Sequence, residues 1–321
     1  MLGIQTVERA VEPAVLDDGM LLDAYAAELD ACRKTKETYT RALRQWRRWL
    51  DHRGLGLLDT TRADVIAYRD ELEGAGRSAA TTNAYLTAIR SMYSWLESRG
   101  VYPNVAADVK GRRRNQRSPK DALTRAQAAD LLDGEPETLE ELRDRAMVNL
   151  MLRRGLRTVE VVRADVGDLR QVNGTAVLYV QGKGYAEKGD FIVLGDACLR
   201  SIYAYLDKRG PVEDDAPLFV GVGNRNKGGR LTTRTVSRTV KTAMEKAGIS
   251  SAHLTAHSLR HTAVTFALLG GATVQEVQAM ARHANLNTTM IYAHNLSKIE
   301  ARAERSIDAY LQGGEHKPNT D

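Results

Sequence analysis

A chain of 321 residues with 46 Lys and Arg against 41 Asp and Glu carries a formal net charge of +5; it is long enough for two domains with separate cores, and its balance suits a polyanionic partner. Its two cysteines, Cys32 and Cys198, exclude a disulfide scaffold and a cysteine-ligated zinc site and fit a reducing compartment. No run of about 18 apolar residues offers a membrane span, and the first 18 residues, with Glu8, Glu12, Asp17 and Asp18, lack the basic-then-apolar order of a secretory signal, so a cytoplasmic location is expected.

In chain order, residues 1–18 read as a tail, and four helical patterns follow over about 19–31, 35–53, 62–74 and 78–99. In the second, Tyr39, Leu43, Trp46 and Leu50 recur at helical spacing and face a core, while Arg41, Arg44, Arg47 and Arg48 crowd the other faces. Those arginines form either an ordinary solvated face or a stripe whose planar forks meet phosphate oxygens. Thr61 is placed to cap the third helix, and Tyr85, Ile89, Met92, Tyr93 and Leu96 give the fourth an aromatic-rich core face that Gly100 ends. Residues 19–108 thus make a helical domain.

The window from Lys110 to Lys120 is the most basic and least apolar of the chain, and it holds Arg112, Arg113, Arg114 and Arg117. Such a composition cannot bury a core, so 109–121 reads as a linker whose charge suits a path along a polyanion.

A second domain is expected over 122–321. Thr124 starts one helix, a longer one runs over about 139–154, and after Gly155-Leu156-Arg157 a short helix covers Thr158 to Arg163. Val166–Leu169, Ala176–Val180 and Phe191–Leu194 read as strands, with turns at Asn173-Gly174 and Gly182-Lys183-Gly184. Helices resume at about 196–208, 233–247 and 258–269, where Ala263, Val264, Phe266, Ala267 and Leu268 face inward. Thr273 caps a further helix, Ala284 to Thr289 reads as a turn leading to Tyr292, and a last helix covers about 297–311. The fold class is therefore mainly α with a small antiparallel β-sheet.

The chemistry-bearing residues concentrate in this second domain. Arg157 and Arg260 stand in otherwise apolar helical surroundings, and two guanidiniums clamping one phosphodiester would neutralise its non-bridging oxygens as charge grows in a transition state. One such cation is worth about 10³–10⁵ in rate in phosphoryl transfer. Tyr292 is placed as a nucleophile, with His257 as candidate base; an unperturbed tyrosine has a pKa of about 10, so ionising it at pH 7 costs about 4 kcal/mol that a cationic field or a base must offset. Lys183, on its Gly-Lys-Gly turn, is either an ordinary hairpin residue or a general acid for the leaving oxygen. His283 is a candidate donor to the phosphoryl oxygen. Glu160, three residues beyond Arg157, reads as a brace for a catalytic neighbour, and His261 as a supporting or packing residue. His257 and His261 are four apart as in a zinc helix, but Ser258 stands where the metalloprotease motif has Glu and no third ligand is evident, so no metal site is expected.

Taken together, Gly155-Leu156-Arg157 with Glu160, Gly182-Lys183-Gly184, His257-x-x-Arg260-His261-Thr262, His283, and Thr288-Thr289-x-Ile291-Tyr292 resemble the tyrosine recombinase, or phage integrase, family, from about Leu21 to the last helix. The resemblance implies a helical core-binding domain followed by a mixed α/β catalytic domain. It implies that Arg157, Lys183, His257, Arg260 and His283 activate a phosphodiester and that Tyr292 forms a 3′-phosphotyrosyl bond to double-stranded DNA at specific recombination sites, with neither metal nor nucleotide cofactor. It further implies a homotetramer on two sites, monomeric or dimeric off DNA, with the final helix packing on a neighbouring subunit.

With about 18 residues before the first helix, a simple short-site recombinase is expected. Its role is integration and excision of a mobile element or, alternatively, Xer-like resolution of chromosome or plasmid multimers. A type IB topoisomerase shares the chemistry, and a non-catalytic DNA-binding protein of the same fold is the rival of another class, although no essential side chain is missing. One position departs from the family pattern, which places Gly directly before the third-box histidine where this chain has Arg282. A positive φ there would strain an arginine.

Overall fold

The computed structural model describes residues 17–112, 122–182 and 187–300, with 307, 308, 310 and 311, the side chains of 225, 295 and 297–300 excepted. The 1–16 part of the expected tail, linker residues 113–121 and the turn residue Lys183 lie outside the described residues, as does most of the expected last helix. The chain forms two compact units, 1–116 and 117–321.

In the first unit the helices are α1 (Asp18–Glu28), α2 (Arg33–Asp51), α3 (Arg62–Gly74) and α4 (Ala79–Ser98). Local chemistry sets their starts. Thr61 and Asp64 form a reciprocal capping box on α3, and Ser78 accepts from the Thr81 N–H at the start of α4, which satisfies donors that have no intrahelical partner. The core is aromatic: Trp46 stacks on Trp49 at 5.1 Å and meets Tyr68 at 4.8 Å between centroids. Leu43, Trp46 and Leu50 of α2 are buried with Leu86, Ile89, Met92, Tyr93 and Leu96 of α4. On the outer side of α2, Arg41, Arg44 and Arg48 are exposed, whereas Arg47 pairs with Asp17 at 3.5 Å and Asp51 at 3.8 Å. Residues 109–112 are bound to this unit. Val109 is buried, Arg69 donates to the Lys110 carbonyl, and Asn83 exchanges two hydrogen bonds with the Arg112 backbone.

The second unit is organised around α6 (Leu139–Arg154), reached through α5 (Arg125–Leu131). A Thr138–Glu141 capping box starts α6, and its stretch from Ala146 to Leu152 is buried throughout, as suits a helix surrounded by protein rather than one facing water. It packs against α8 (Asp196–Arg209), α9 (Thr233–Lys246) and α10 (Ala256–Leu269). On α10 the buried face is Leu259, Thr262, Ala263 and Val264, with Phe266, Ala267 and Leu268 half-buried.

Between α7 (Thr158–Arg163) and α8 lies an antiparallel meander of β1 (Leu169–Val172), β2 (Thr175–Val180) and β3 (Asp190–Val193). Asn173 and Gly174, both at positive φ, close the first hairpin, the two-residue loop whose twist matches the strands. The first strand lies later than expected. Residues Val166–Asp168 form a 3₁₀ turn, because the Asp168 carboxylate accepts from the Asp165 N–H at 2.7 Å and Gly167 N–H bonds the Asp214 carbonyl at 2.8 Å. Such side-chain capping competes with a sheet ladder.

The chain then runs through α11 (Val274–Ala281) into α12 (Leu286–Glu300). A second correction falls here: Leu286 to Thr289 is helical, and no break precedes 297. The Asn285 side chain accepts from the Asn287 N–H at 2.9 Å, so the helix starts at once and Tyr292 stands in its second turn. Among stability changes, Trp46→Ala should cost about 3–5 kcal/mol in urea unfolding of the first unit, while Arg48→Ala on the exposed face stays within about 0.5 kcal/mol.

Candidate active site

The end of α6 builds the first part of the site. Gly155 takes φ 64 and caps the helix in the left-handed region that glycine adopts without penalty. Its carbonyl accepts from Arg260 Nη1, and a Cβ added there would lie 3.8 Å from Arg260 Cγ. Two residues on, Arg157 occupies the N-cap position of α7. Its backbone N–H donates to Glu160 Oε2 and its Nη1 to Glu160 Oε1, both at 2.7 Å, and its Nη2 donates to the Arg282 carbonyl at 3.1 Å. The Arg157 side chain keeps 26% of its surface exposed while Glu160 has none. Arg157 is therefore held rigidly at the back and open at the front.

Arg260, on the second turn of α10, is 2% exposed, and its second terminal nitrogen donates to the Ala281 carbonyl. Burial and the neighbouring charges of Arg157 and Arg282 push its pKa down to about 9, with Glu160 opposing; it remains a cation at neutral pH. Both guanidiniums expected to clamp a phosphate are brought together by carbonyls from different elements.

Arg282 ends α11 at φ 53, ψ 51. A non-glycine residue in that region costs about 1–2 kcal/mol. What the arginine gains is visible in its contacts, since Nη2 donates to Glu160 Oε2 and Nη1 to the Met280 carbonyl, each at 2.7 Å, with 8% of the side chain exposed. Glu160 thus sits between two guanidiniums. Burial alone would raise its pKa, but the charges and hydrogen bonds of Arg282 and Arg157 outweigh burial and hold the carboxyl below the ordinary range.

His283 follows directly. Its backbone N–H bonds the Gln278 carbonyl, the Gln278 amide returns a bond to its carbonyl at 3.0 Å, and its Nδ1 lies 2.8 Å from the buried Thr289 hydroxyl. Burial first, then the charges of Arg260, Arg157, Arg282 and His257, push its pKa down to about 4. The ring is therefore neutral at pH 7, with Nε2 left over from the contact to Thr289. Arg157, Arg282 and His283 line a cleft of about 610 Å³ whose lining also includes Gly182 and Glu187 of the β2–β3 connection and Asp190 of β3. Lys183 lies outside the described residues. Lys188, in the same connection, bridges Asp165 and Asp168 at 2.5 Å each.

Tyr292 is buried in a small cluster with Val264, Val277 and Ala281, which ties α12 to α10 and α11. Its hydroxyl hydrogen-bonds His261 Nδ1, and His261 packs edge-on against the exposed His257 at 4.5 Å between centroids. The direct contact to the tyrosine oxygen thus belongs to His261, which spacing alone marked as supporting. Arg282 and Thr289 are the other residues that pattern reasoning left without a role; the positive φ expected of a turn after α11 was the signal available for Arg282.

Three guanidiniums face one carboxylate in this cluster, so it favours an anion with several oxygens. Among the described residues no group of three or more His, Cys, Asp or Glu is placed to hold a metal ion. Of the expected DNA contacts, Arg41, Arg44, Arg47 and Arg48 belong to the first unit; Arg112 approaches Glu73 at 3.7 Å, and Arg113, Arg114 and Arg117 lie outside the described residues.

Comparison with known proteins covers both units. The phage integrase family matches residues 121–298, and the phage integrase N-terminal SAM-like domain matches 22–100. A tyrosine recombinase XerD of Rhizobium meliloti (strain 1021) is 31% identical over 286 residues, which is 86% of this chain and 90% of that protein. A tyrosine recombinase XerC of Pelobacter propionicus is 37% identical over 213 residues, 65% of this chain and 67% of that protein. In fold, the chain resembles a XerH site-specific recombinase solved with a palindromic difH substrate, at TM-score 0.71 and 21% identity over 90% of this chain and 85% of that one. With matches to both units and relatives above 30% identity along most of their length, the chain belongs to the phage integrase family of tyrosine recombinases.

Proposed function

We propose that Tyr292 is the nucleophile with which this site-specific DNA recombinase breaks and rejoins strands. The carrying observation is that Arg157 and a neutral His283 line one cleft, that the buried Arg260 is close enough for its charge to act on both, and that Tyr292 stands on the helix packed against α10 and α11. The tyrosine oxygen attacks the scissile phosphorus, the bond to the 5′-oxygen breaks, and that oxygen takes a proton while a 3′-phosphotyrosyl bond forms. The 5′-hydroxyl of a partner strand then attacks the same phosphorus and returns the tyrosine. Phosphodiester energy is kept in the covalent link, so neither metal nor nucleotide enters.

In this reading Arg157 and Arg260 clamp the non-bridging oxygens and are charged before the reaction starts, so little reorganisation is needed as negative charge develops. His283 donates to one of these oxygens from its neutral ring. Lys183 protonates the leaving 5′-oxygen. His261 accepts the tyrosine proton, with His257 edge-on against it as the second candidate. Residues 19–108, with Arg41, Arg44 and Arg48, and the basic stretch 109–121 with Arg112, Arg113, Arg114 and Arg117, hold the duplex.

The partner is double-stranded DNA at specific sites, as with the XerH relative solved on its substrate. The action belongs in the cytoplasm; no helix among the described residues is long and apolar enough to cross a membrane. The Xer names of the relatives support multimer resolution over mobile-element integration. Four copies act on two sites, and the exposed Ile307, Tyr310 and Leu311 offer the apolar contact between them.

A covalent protein–DNA adduct on a nicked suicide duplex, formed in EDTA by wild type and absent in Tyr292→Phe, is the expected outcome; an adduct with both proteins sinks the assignment. Arg157→Ala and Arg260→Ala should each lower the adduct-forming rate by about 10³-fold or more. Truncation after Leu296 should leave single-site binding intact and weaken cooperative assembly in gel-shift titrations.

His283 also carries a stability signature. Its pKa falls from 6.5 to about 4 on folding, so between those values the unfolded chain binds the proton and the folded one does not. Stability then rises with pH across that window. His283→Gln should flatten the slope of chemical-denaturation free energy against pH between about 4 and 6.5, and an unchanged slope would contradict the neutral ring.

A further inference from the structure

We infer that Arg282 is a positioning residue for strand cleavage, acting through Glu160 to keep Arg157 aimed at the scissile phosphate while that phosphate draws on Arg157's charge. The inference rests on the reading of Arg157 as a phosphate ligand given above.

Three observations carry it. Arg282 stands at φ 53, a conformation that a glycine adopts freely and an arginine does not, so its side chain has to return something to the fold. Its fork is committed: Nη1 to the Met280 carbonyl and Nη2 to Glu160. Both of its terminal nitrogens are occupied, one of them by Glu160. Its own carbonyl, fixed by that unusual backbone, accepts from Arg157 Nη2 at 3.1 Å. Arg282 therefore touches Arg157 twice, once through the backbone and once through Glu160.

Charge explains why one arginine is not enough. Glu160 is wholly buried, and a buried carboxylate with a single partner is stranded when that partner is shared. When a phosphodiester binds, Arg157 divides its charge between the phosphate and Glu160. Without Arg282 the two anions compete for one guanidinium, and either the carboxylate takes up a proton or Arg157 is pulled back from the phosphate. With Arg282 in place Glu160 keeps a full cation of its own, and the Glu160–Arg157 contact becomes a hinge pin rather than the sole neutralisation of a buried charge. A purely structural reading, in which Arg282 only caps α11 through Met280, gives no reason for the coupling to Glu160.

The experiment uses the full chain with Arg282→Gly, Arg282→Lys, Glu160→Gln and the Arg282→Gly/Glu160→Gln pair. It reads duplex affinity, the single-turnover rate of adduct formation and thermal melting, and, in the DNA-free protein, exchange of the Arg157 side-chain N–H groups by NMR. Arg282→Gly, which also relieves the backbone, should bind the duplex as wild type does yet form adduct about 10²-fold more slowly. Arg282→Lys, charged but without the fork, should fall between. Adding Glu160→Gln removes the buried charge that needs a second cation, so the pair should react faster than the product of the two single losses. In Arg282→Gly the Arg157 N–H groups should exchange faster.

Wild-type cleavage by Arg282→Gly, a rate loss matched by a loss of affinity or melting temperature, or additivity with Glu160→Gln would each overturn the inference. Absence of any adduct from wild type on an occupied duplex would instead sink the nucleophile assignment. The exchange measurement then decides alone: faster Arg157 exchange in Arg282→Gly upholds the positioning role, and unchanged exchange removes it.

Discussion

A carboxylate without solvent contact, Glu160, lies between Arg157 and Arg282, and the geometry of the candidate site depends on that pairing. A buried ion pair is seldom a strong source of net stability, because desolvation consumes most of its attraction. Its use here is orientation. Glu160 accepts from both the backbone and the side chain of Arg157, so the direction of the guanidinium is set by a group that cannot move without exposing an unpaired charge. The surplus of positive charge left over is what the phosphodiester proposed above would meet.

The carbonyls that hold these cations come from places where helices stop. Gly155 ends α6 and Ala281 ends α11, and both give their oxygens to Arg260; Arg282 gives its own to Arg157. Helix ends carry carbonyls with no partner inside the helix, and here the partners of these three are Arg157 and Arg260. The main core beneath, centred on the buried stretch of α6, fixes where those ends lie. Packing and chemistry are joined at this point, since a shift of α6 against α10 would move Gly155 and Arg260 apart.

Much of this was legible in the sequence, and the reasons differ by residue. Helix starts were readable because Thr61, Thr124 and Thr273 are capping residues with a partner three positions on. The spaced boxes named the arginines, Glu160, His283 and Tyr292, because invariant chemistry leaves its residue types at set intervals. What spacing could not supply was direction. His257 and His261 look equivalent on a helical wheel, yet packing gives His261 the tyrosine hydroxyl and leaves His257 exposed. The strand expected at 166–169 became a 3₁₀ turn because Asp165 and Asp168, three apart, cap it and are held by the distant Lys188; the local pair was there to read, the lysine was not. The turn before Tyr292 closed into helix through a single asparagine side chain, Asn285.

The neutral ring of His283 would couple proton uptake to the phosphate binding proposed above. Burial is the main reason its pKa falls, and the charges of Arg260, Arg157 and Arg282 add to it. A phosphodiester settling among those guanidiniums cancels part of their field, and the imidazole's affinity for a proton rises in response. Linkage makes this reciprocal: whatever proton uptake accompanies DNA binding must appear as tighter binding at lower pH. On the proposed binding mode, affinity for the duplex and the charge state of His283 form a single equilibrium seen from two sides.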